Sequence, residues 1–185
     1  MMLGQAITPK VGVIMGSDSD LPVMEETLQV LDEFQVAYEV RILSAHRSPG
    51  ETSAYARGCA ERGLQVLVAG AGWAAHLAGV LAAETCLPVI GIPVNSSPLQ
   101  GLDALLSTVQ MPPGIPVATM AIGKGGARNA ALFAVQILAL QDSDLWRKLE
   151  LFKEKMTADI VRNKSKRLED YLKSRTSGNT PVSGQ

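Results

Sequence analysis

Five stretches of this chain are apolar without alternating: VGVIMG (11–16), YEVRILSA (38–45), LQVLVAGAG (64–72), LPVIGIPV (87–94) and IPVATMAIG (115–123). A strand with one face in water alternates apolar and polar residues, so runs of this kind predict strands covered on both faces, as in a mostly parallel sheet. Parallel neighbours need long crossovers, and the sequence supplies them. Helix-period segments fill 21–34, 49–62, 75–85, 101–108 and 126–140. Strand–helix alternation with right-handed crossovers predicts an α/β doubly wound fold. Ligands of such sheets sit beyond the carboxyl ends of the strands. Attention therefore falls on the strand-to-helix loops GSDSD, SAHRSP, AGAGWAAHLAG, PVNSSPLQG and AIGKGGARN.

The length of 185 residues suits one domain, expected over 1–175 with its core at 10–140. From Asp144 the texture becomes charged and helical, and apolar Leu145, Leu149, Phe152, Met156 and Ile160 recur every three or four residues. A long helix over about 144–175 is expected, packing on its own core early and on a neighbouring copy later; a plain amphipathic cover helix is the alternative. Residues 176–185 read as a disordered tail. A net charge of -1 gives no electrostatic reason to expect nucleic acid or an anionic membrane as partner. No apolar run reaches the ~18 residues of a membrane span, and no signal-peptide pattern opens the chain. Cys59 and Cys86 stand apart from each other and from any histidine, so neither zinc nor a disulfide framework is expected. The expected location is the cytoplasm.

The loops carry the chemistry. In GSDSD, one of Ser17, Ser19 and Asp20 is expected to cap the helix that Pro22 helps to start. The other side chains remain for a ligand. Free N–H groups at that helix start favour an anion, whereas an aspartate suits hydroxyl groups attached to one. A metal or phosphoaspartate reading fits less well, because Gly16 and Ser17 separate the strand from the first acid. In SAHRSP, Arg47 offers a planar fork of donors to phosphate, Ser44 and Ser48 add hydroxyls, and His46 is of the residue type that titrates near neutral pH. A solvent-exposed or structural histidine is the plainer reading. In AGAGWAAHLAG, Ala71 and Gly72 let a flat ligand approach the backbone, and His76 is either a further candidate or a packing residue. GxGxxG is not matched there, so a nicotinamide cofactor is not expected. Lys124 and Arg128 serve an anion or are surface charge.

Taken together, MGSDSD, SAHRSP, AGAGxAAHLxG, LPVIGIPV, LxGLDALLSTVQMPxGIPVAT and AIGKxGAxNAAL closely resemble the PurE family of purine biosynthesis, on its N5-carboxyaminoimidazole ribonucleotide mutase branch. The resemblance covers about 10–140 with the motifs in order. It implies a flavodoxin-like three-layer α/β/α domain with a central parallel sheet, assembled as a homo-octamer through C-terminal helices, with no cofactor and no metal. It implies a small-molecule ribonucleotide substrate whose carboxylate moves from the exocyclic nitrogen to ring carbon 4. Ser17 and Arg47 would hold the phosphate and Asp20 the ribose, with Ser19 and Ser44 adding contacts. Ala71 and Gly72 would floor the pocket, and His46 would be the single acid/base. The direct carboxylase branch carries lysine where this chain has Arg47, and lacks the AAHL stretch. Departures occur at Trp73, usually glycine, at Ala78 and Val80, and at Gly126, read as a mild change from alanine. A non-catalytic phosphoribosyl-binding module is the reading that Trp73 leaves open.

Overall fold

The computed structural model describes residues 8–177. Five parallel strands form one sheet in the order β2-β1-β3-β4-β5: β1 Val11–Met15, β2 Tyr38–Ile42, β3 Val66–Ala71, β4 Val89–Pro93 and β5 Ala118–Thr119. All of β1 and β4 and all but the last residue of β3 are buried, as non-alternating apolar runs require. β2 departs from that expectation. It is an edge strand with a neighbour on one side only, and Ile42 is 58% exposed. β5 is two residues long where 115–123 reads as a strand. Pro116 has no N–H to give, and Gly123 leaves extended geometry at φ 75° and ψ -153°. The Met120 N–H still reaches the Gly91 carbonyl at 2.9 Å.

The helices are α1 Leu21–Glu33, α2 Pro49–Arg57, α3 Leu77–Glu84, α4 Leu102–Val109 and α5 Lys124–Ala139. α1 packs on α5, and α2 packs on α3. Alanines 127, 130, 131 and 134 of α5 are all fully buried, which lets the two helices approach closely. The buried Thr27 hydroxyl crosses that contact to donate to the Ala127 carbonyl at 2.9 Å. Lys124 and Arg128 both pair with Glu26, at 3.4 and 3.3 Å, so they brace α1 against α5 rather than face the cleft.

Gly126 is not a mild change in this geometry. A Cβ there would collide with the Ala121 carbonyl oxygen, whereas one at Gly125 would meet open space. Gly125 is the position at which alanine fits.

The chain divides into two compact units, one ending at Asp142 and the other beginning at Ser143. The second unit is α6 Ser143–Ala158, a π-helical stretch Asp159–Lys164 and α7 Ser165–Ser177, a continuous helical course. Met156, Ile160, Val161, Leu168, Tyr171 and Leu172 stand exposed along it. Of the expected tail, Thr176 and Ser177 belong to α7, and 178–185 lie outside the described residues.

Candidate functional site

The order β2-β1-β3 puts the chain's switch of direction at β1, so the loops after these three strands open side by side. Between them lies a cleft of about 530 Å³, within the range of small-molecule sites. The structure brings Ser17, Ser19, Asp20, Ser44, His46, Arg47, Ala71, Gly72 and His76 to its walls.

The first loop is built on a short 3₁₀ turn, Asp18–Asp20, that precedes α1. Ser17 caps this turn, not α1. Its hydroxyl oxygen accepts from the Ser19 N–H at 3.4 Å, and its own N–H donates to Asp20 Oδ2 at 3.1 Å. Asp20 stands at the N-cap of α1 without capping it, leaving its carboxylate turned back into the loop at the cleft wall. Asp20 is only 4% exposed. Burial pushes its carboxyl above the ordinary range, against the Ser17 and Gly16 N–H groups and the Arg47 charge.

The sign of the pH effect follows. A carboxyl whose folded pKa is raised holds its proton more tightly folded than unfolded, so ionising it costs stability once the pH exceeds the unfolded value of ~3.9. Asp20→Asn is therefore expected to melt higher than wild type at neutral pH, with the gain fading towards about pH 4. Equal melting temperatures at neutral pH would overturn this account.

Asp18 is exposed, but it does not simply face solvent. Its Oδ1 accepts the Ser17 hydroxyl and the Ser19 N–H, both at 3.0 Å. A Cβ on Gly16 would stand at an ordinary 3.6 Å from Asp20 Oδ2. What Gly16 contributes is its carbonyl, which accepts from Arg47 Nη2 at 2.9 Å and ties the second loop to the first.

In the second loop the Ser44 hydroxyl accepts the Arg47 N–H at 3.1 Å, and Arg47 Nε lies 3.5 Å from it. Ser48 closes the turn locally: its N–H and hydroxyl donate to the Ser44 carbonyl at 2.9 and 3.2 Å, and its hydroxyl accepts the Ser44 N–H at 3.0 Å. With Pro49 opening α2, this turn fixes His46 and Arg47 at the rim.

The third loop brings His76 to His46. His46 Nε2 and His76 Nδ1 are 2.9 Å apart, and the rings meet edge to face with centroids 5.0 Å apart. Gly72 is required by a close approach, since a Cβ there would fall on the Ser96 hydroxyl from the loop after β4. Ser96 itself lines the cleft, and sequence reasoning singled out its loop without naming it. The available signal was position: NSSP follows the strand next to β3. Trp73 also lines the cleft, 60% exposed, in left-handed backbone at φ 53°. This conformation costs a non-glycine residue about 1–2 kcal/mol, which accounts for glycine as the easier residue there. The indole does not fill the cleft.

Among the described residues no three His, Cys, Asp or Glu side chains gather as a metal site would, and no helix is long and apolar enough to cross a membrane.

Residues 10–159 match the family described as AIR carboxylase. The N5-carboxyaminoimidazole ribonucleotide mutase of Pyrococcus abyssi is 58% identical over 148 residues, 80% of this chain and 84% of that protein. The protein of the same name from Mycobacterium tuberculosis is 54% identical over 161 residues, 87% of this chain and 91% of its own. The crystal structure of Treponema denticola PurE superposes with a TM-score of 0.75 at 27% identity, covering 85% of this chain and 98% of that one. With a family match spanning the sheet, the cleft and α6, the chain belongs to the AIR carboxylase (PurE) family.

Proposed function

We propose that this chain converts N5-carboxyaminoimidazole ribonucleotide to 4-carboxy-5-aminoimidazole ribonucleotide in purine biosynthesis, as a mutase. The observation that carries the proposal is that one cleft gathers an anion-binding fork at Arg47, a serine hydroxyl at Ser17, a buried carboxylate at Asp20 and an imidazole at His46. That donor set matches a phosphorylated sugar bearing a heterocycle. Arg47 and Ser17 take the phosphate, Asp20 takes the ribose hydroxyls, and Ser19 and Ser44 support them. His46 faces the heterocycle above the small-residue floor of Ala71 and Gly72.

The chemistry is a balanced isomerisation. His46 gives a proton to the exocyclic nitrogen as its N–C bond to the carboxylate breaks, releasing carbon dioxide. Ring carbon 4 then attacks that carbon dioxide, a C–C bond forms, and the proton on carbon 4 returns to His46. The cleft walls hold the gas near the ring, so that recapture competes with escape. No cofactor or metal enters any step.

Arg47 after the histidine and the AAHL stretch (74–77) favour the mutase over direct carboxylation. The relatives that carry the mutase name support the same reading. The exposed apolar residues of α6 and α7 support assembly with further copies; the homo-octamer and the cytoplasmic location rest on the family resemblance.

The test is an ultraviolet assay of the purified protein in both directions. Conversion of the carbamate without added bicarbonate is expected. Product formed only from aminoimidazole ribonucleotide plus bicarbonate would indicate the direct carboxylase, and binding without turnover would indicate a binding module.

The Asp18 contacts add a prediction of unusual sign. The Ser17 hydroxyl and the Ser19 N–H that a phosphate needs are already held by an internal carboxylate. Asp18→Ala frees the Ser17 hydroxyl, leaves the Ser19 N–H only its longer 3.4 Å contact to Ser17 Oγ, and removes a like charge, so KM for the ribonucleotide is expected to fall by about threefold to tenfold, or roughly 1 kcal/mol. A raised KM would show that Asp18 supports the loop instead of competing for it.

A further inference from the structure

Between the end of β3 and His76 the chain runs Gly72, Trp73, Ala74, Ala75, so Trp73 is the only large side chain of that stretch. It lines the cleft, stands 60% exposed and holds left-handed backbone at φ 53°. Two costs meet at this position. An indole left in water forgoes the gain of burying its apolar surface, and a side chain at positive φ carries strain that glycine would avoid. The polar end of the ring is unused as well: among the described residues the indole has no hydrogen-bond or ring partner. Trp146, the chain's other tryptophan, donates its Nε1–H to Glu150 Oε1 at 3.1 Å. Backbone strain of this kind concentrates at ligand sites, where it holds a group in a geometry that a ligand uses.

The binding mode proposed above gives the phosphate to Arg47 and Ser17 and the ribose to Asp20. It leaves the heterocycle with the imidazole of His46 and the floor of Ala71 and Gly72, and with no flat group against its face. Consecutive Cα atoms lie ~3.8 Å apart, so Trp73 starts beside that floor and its indole reaches a ring lying on Gly72. Resting on the mutase reading, we propose that Trp73 is a substrate-binding residue whose indole stacks on the aminoimidazole ring at the mouth of the cleft. A stack of this kind reads the π face of a heterocycle and is indifferent to the sugar phosphate attached to it. It also covers the exposed indole, which gives back the burial lost in the free chain.

The loop is built to allow the contact. The Ala71 carbonyl accepts the Val94 N–H at 2.9 Å, and the Ala74 carbonyl accepts the His76 N–H at 2.8 Å. Between these two ties neither Gly72 nor Trp73 makes a hydrogen bond among the described residues. The indole is thus carried on a segment with anchored ends that turns onto a ligand without breaking a bond.

Emission of the indole tests this directly. Trp146→Phe leaves Trp73 as the sole tryptophan of the chain. Titration of that variant with 4-carboxy-5-aminoimidazole ribonucleotide is expected to quench the emission with the same Kd that calorimetry gives. Ribose 5-phosphate, which has the phosphate and sugar without the ring, is expected to bind and leave the emission unchanged. Trp73→Gly is expected to melt no lower than wild type, because glycine removes the strain. Yet it should bind the ribonucleotide about fivefold to twentyfold more weakly, the lower part of what one base–aromatic stack contributes. Its affinity for ribose 5-phosphate should stay within about twofold, and Trp73→Phe should recover part of the loss. Unchanged emission on ribonucleotide binding, an equal loss for both ligands, or no recovery with Phe would each overturn the stack. So would a Trp73→Gly protein that keeps its Kd and changes its oligomeric mass, which would set the indole against another copy of the chain. A wild type that binds the ribonucleotide without converting it would remove the mutase reading and leave the stack standing, whereas absence of binding would remove both.

Discussion

His46→Asn is expected to leave the fold and ribonucleotide binding intact while lowering kcat by about 10²–10⁴-fold, the range for loss of a positioned general acid/base. Asn keeps the polar contact at the rim but has no lone pair of useful basicity and no proton to give. Decarboxylation needs a proton on the exocyclic nitrogen, and recarboxylation needs one taken from carbon 4, so both half-reactions fail together. The loss must therefore be equal in the two directions. His46 lines the cleft in a turn closed by Ser44 and Ser48, and nothing in that turn depends on the imidazole. Stopped assays in both directions, beside isothermal titration with the product, would separate the two effects. Near wild-type kcat in a variant that binds normally would remove His46 from the mechanism.

Arg47→Gln should act on the other parameter. The guanidinium reaches the Gly16 carbonyl at 2.9 Å and lies against the Ser44 hydroxyl, beside the loop that carries Ser17. A charged hydrogen bond to phosphate is worth about 1.5–3 kcal/mol, and a fork supplies two donors at once. KM is expected to rise about 10–100-fold, with kcat changed much less, because in the proposed binding mode the phosphate lies away from the reacting atoms. Arg47→Lys should recover part of the loss, since lysine restores charge but not the planar fork. Raised salt should weaken the wild type more than the Gln variant. A Gln variant with unchanged KM would place the phosphate elsewhere in the cleft.

Much of this molecule can be read along the chain. β1, β3 and β4 are visible because burial on both faces leaves no polar residue in the run, and the loops that follow them are visible because the chain changes texture there. β2 and β5 read less well. An edge strand and a central strand share the same residue types until the partner is known, and the pairing of β5 is cut short by Pro116 and Gly123, whose effects are local. Within the site, residue type and loop position were enough to nominate His46, Arg47, Ser17 and Asp20. Their bonding was not legible. Nothing in GSDSD says that Asp20 turns back to the Ser17 N–H, or that Asp18 holds two of the donors that a phosphate would use. The His46–His76 contact depends on two loops meeting across β1, which only the strand order reveals. Ser96 went unnamed for the same reason.

The strand register has a consequence for how the molecule comes to exist. Every pairing is parallel, and the most local one links Val68 to Ile90. Among the described residues no hairpin is available to nucleate the sheet, so each pairing must close a long loop before its contacts form, an order of events that slows folding. β1 pairs with β2 on one side and, at greater chain separation, with β3 on the other, where Val11 meets Val66. The two imidazoles are carried by the loops after β2 and β3, on either side of that strand. They come into register only when β1 has both neighbours, so the proposed reacting centre is a product of the completed sheet rather than of any local segment.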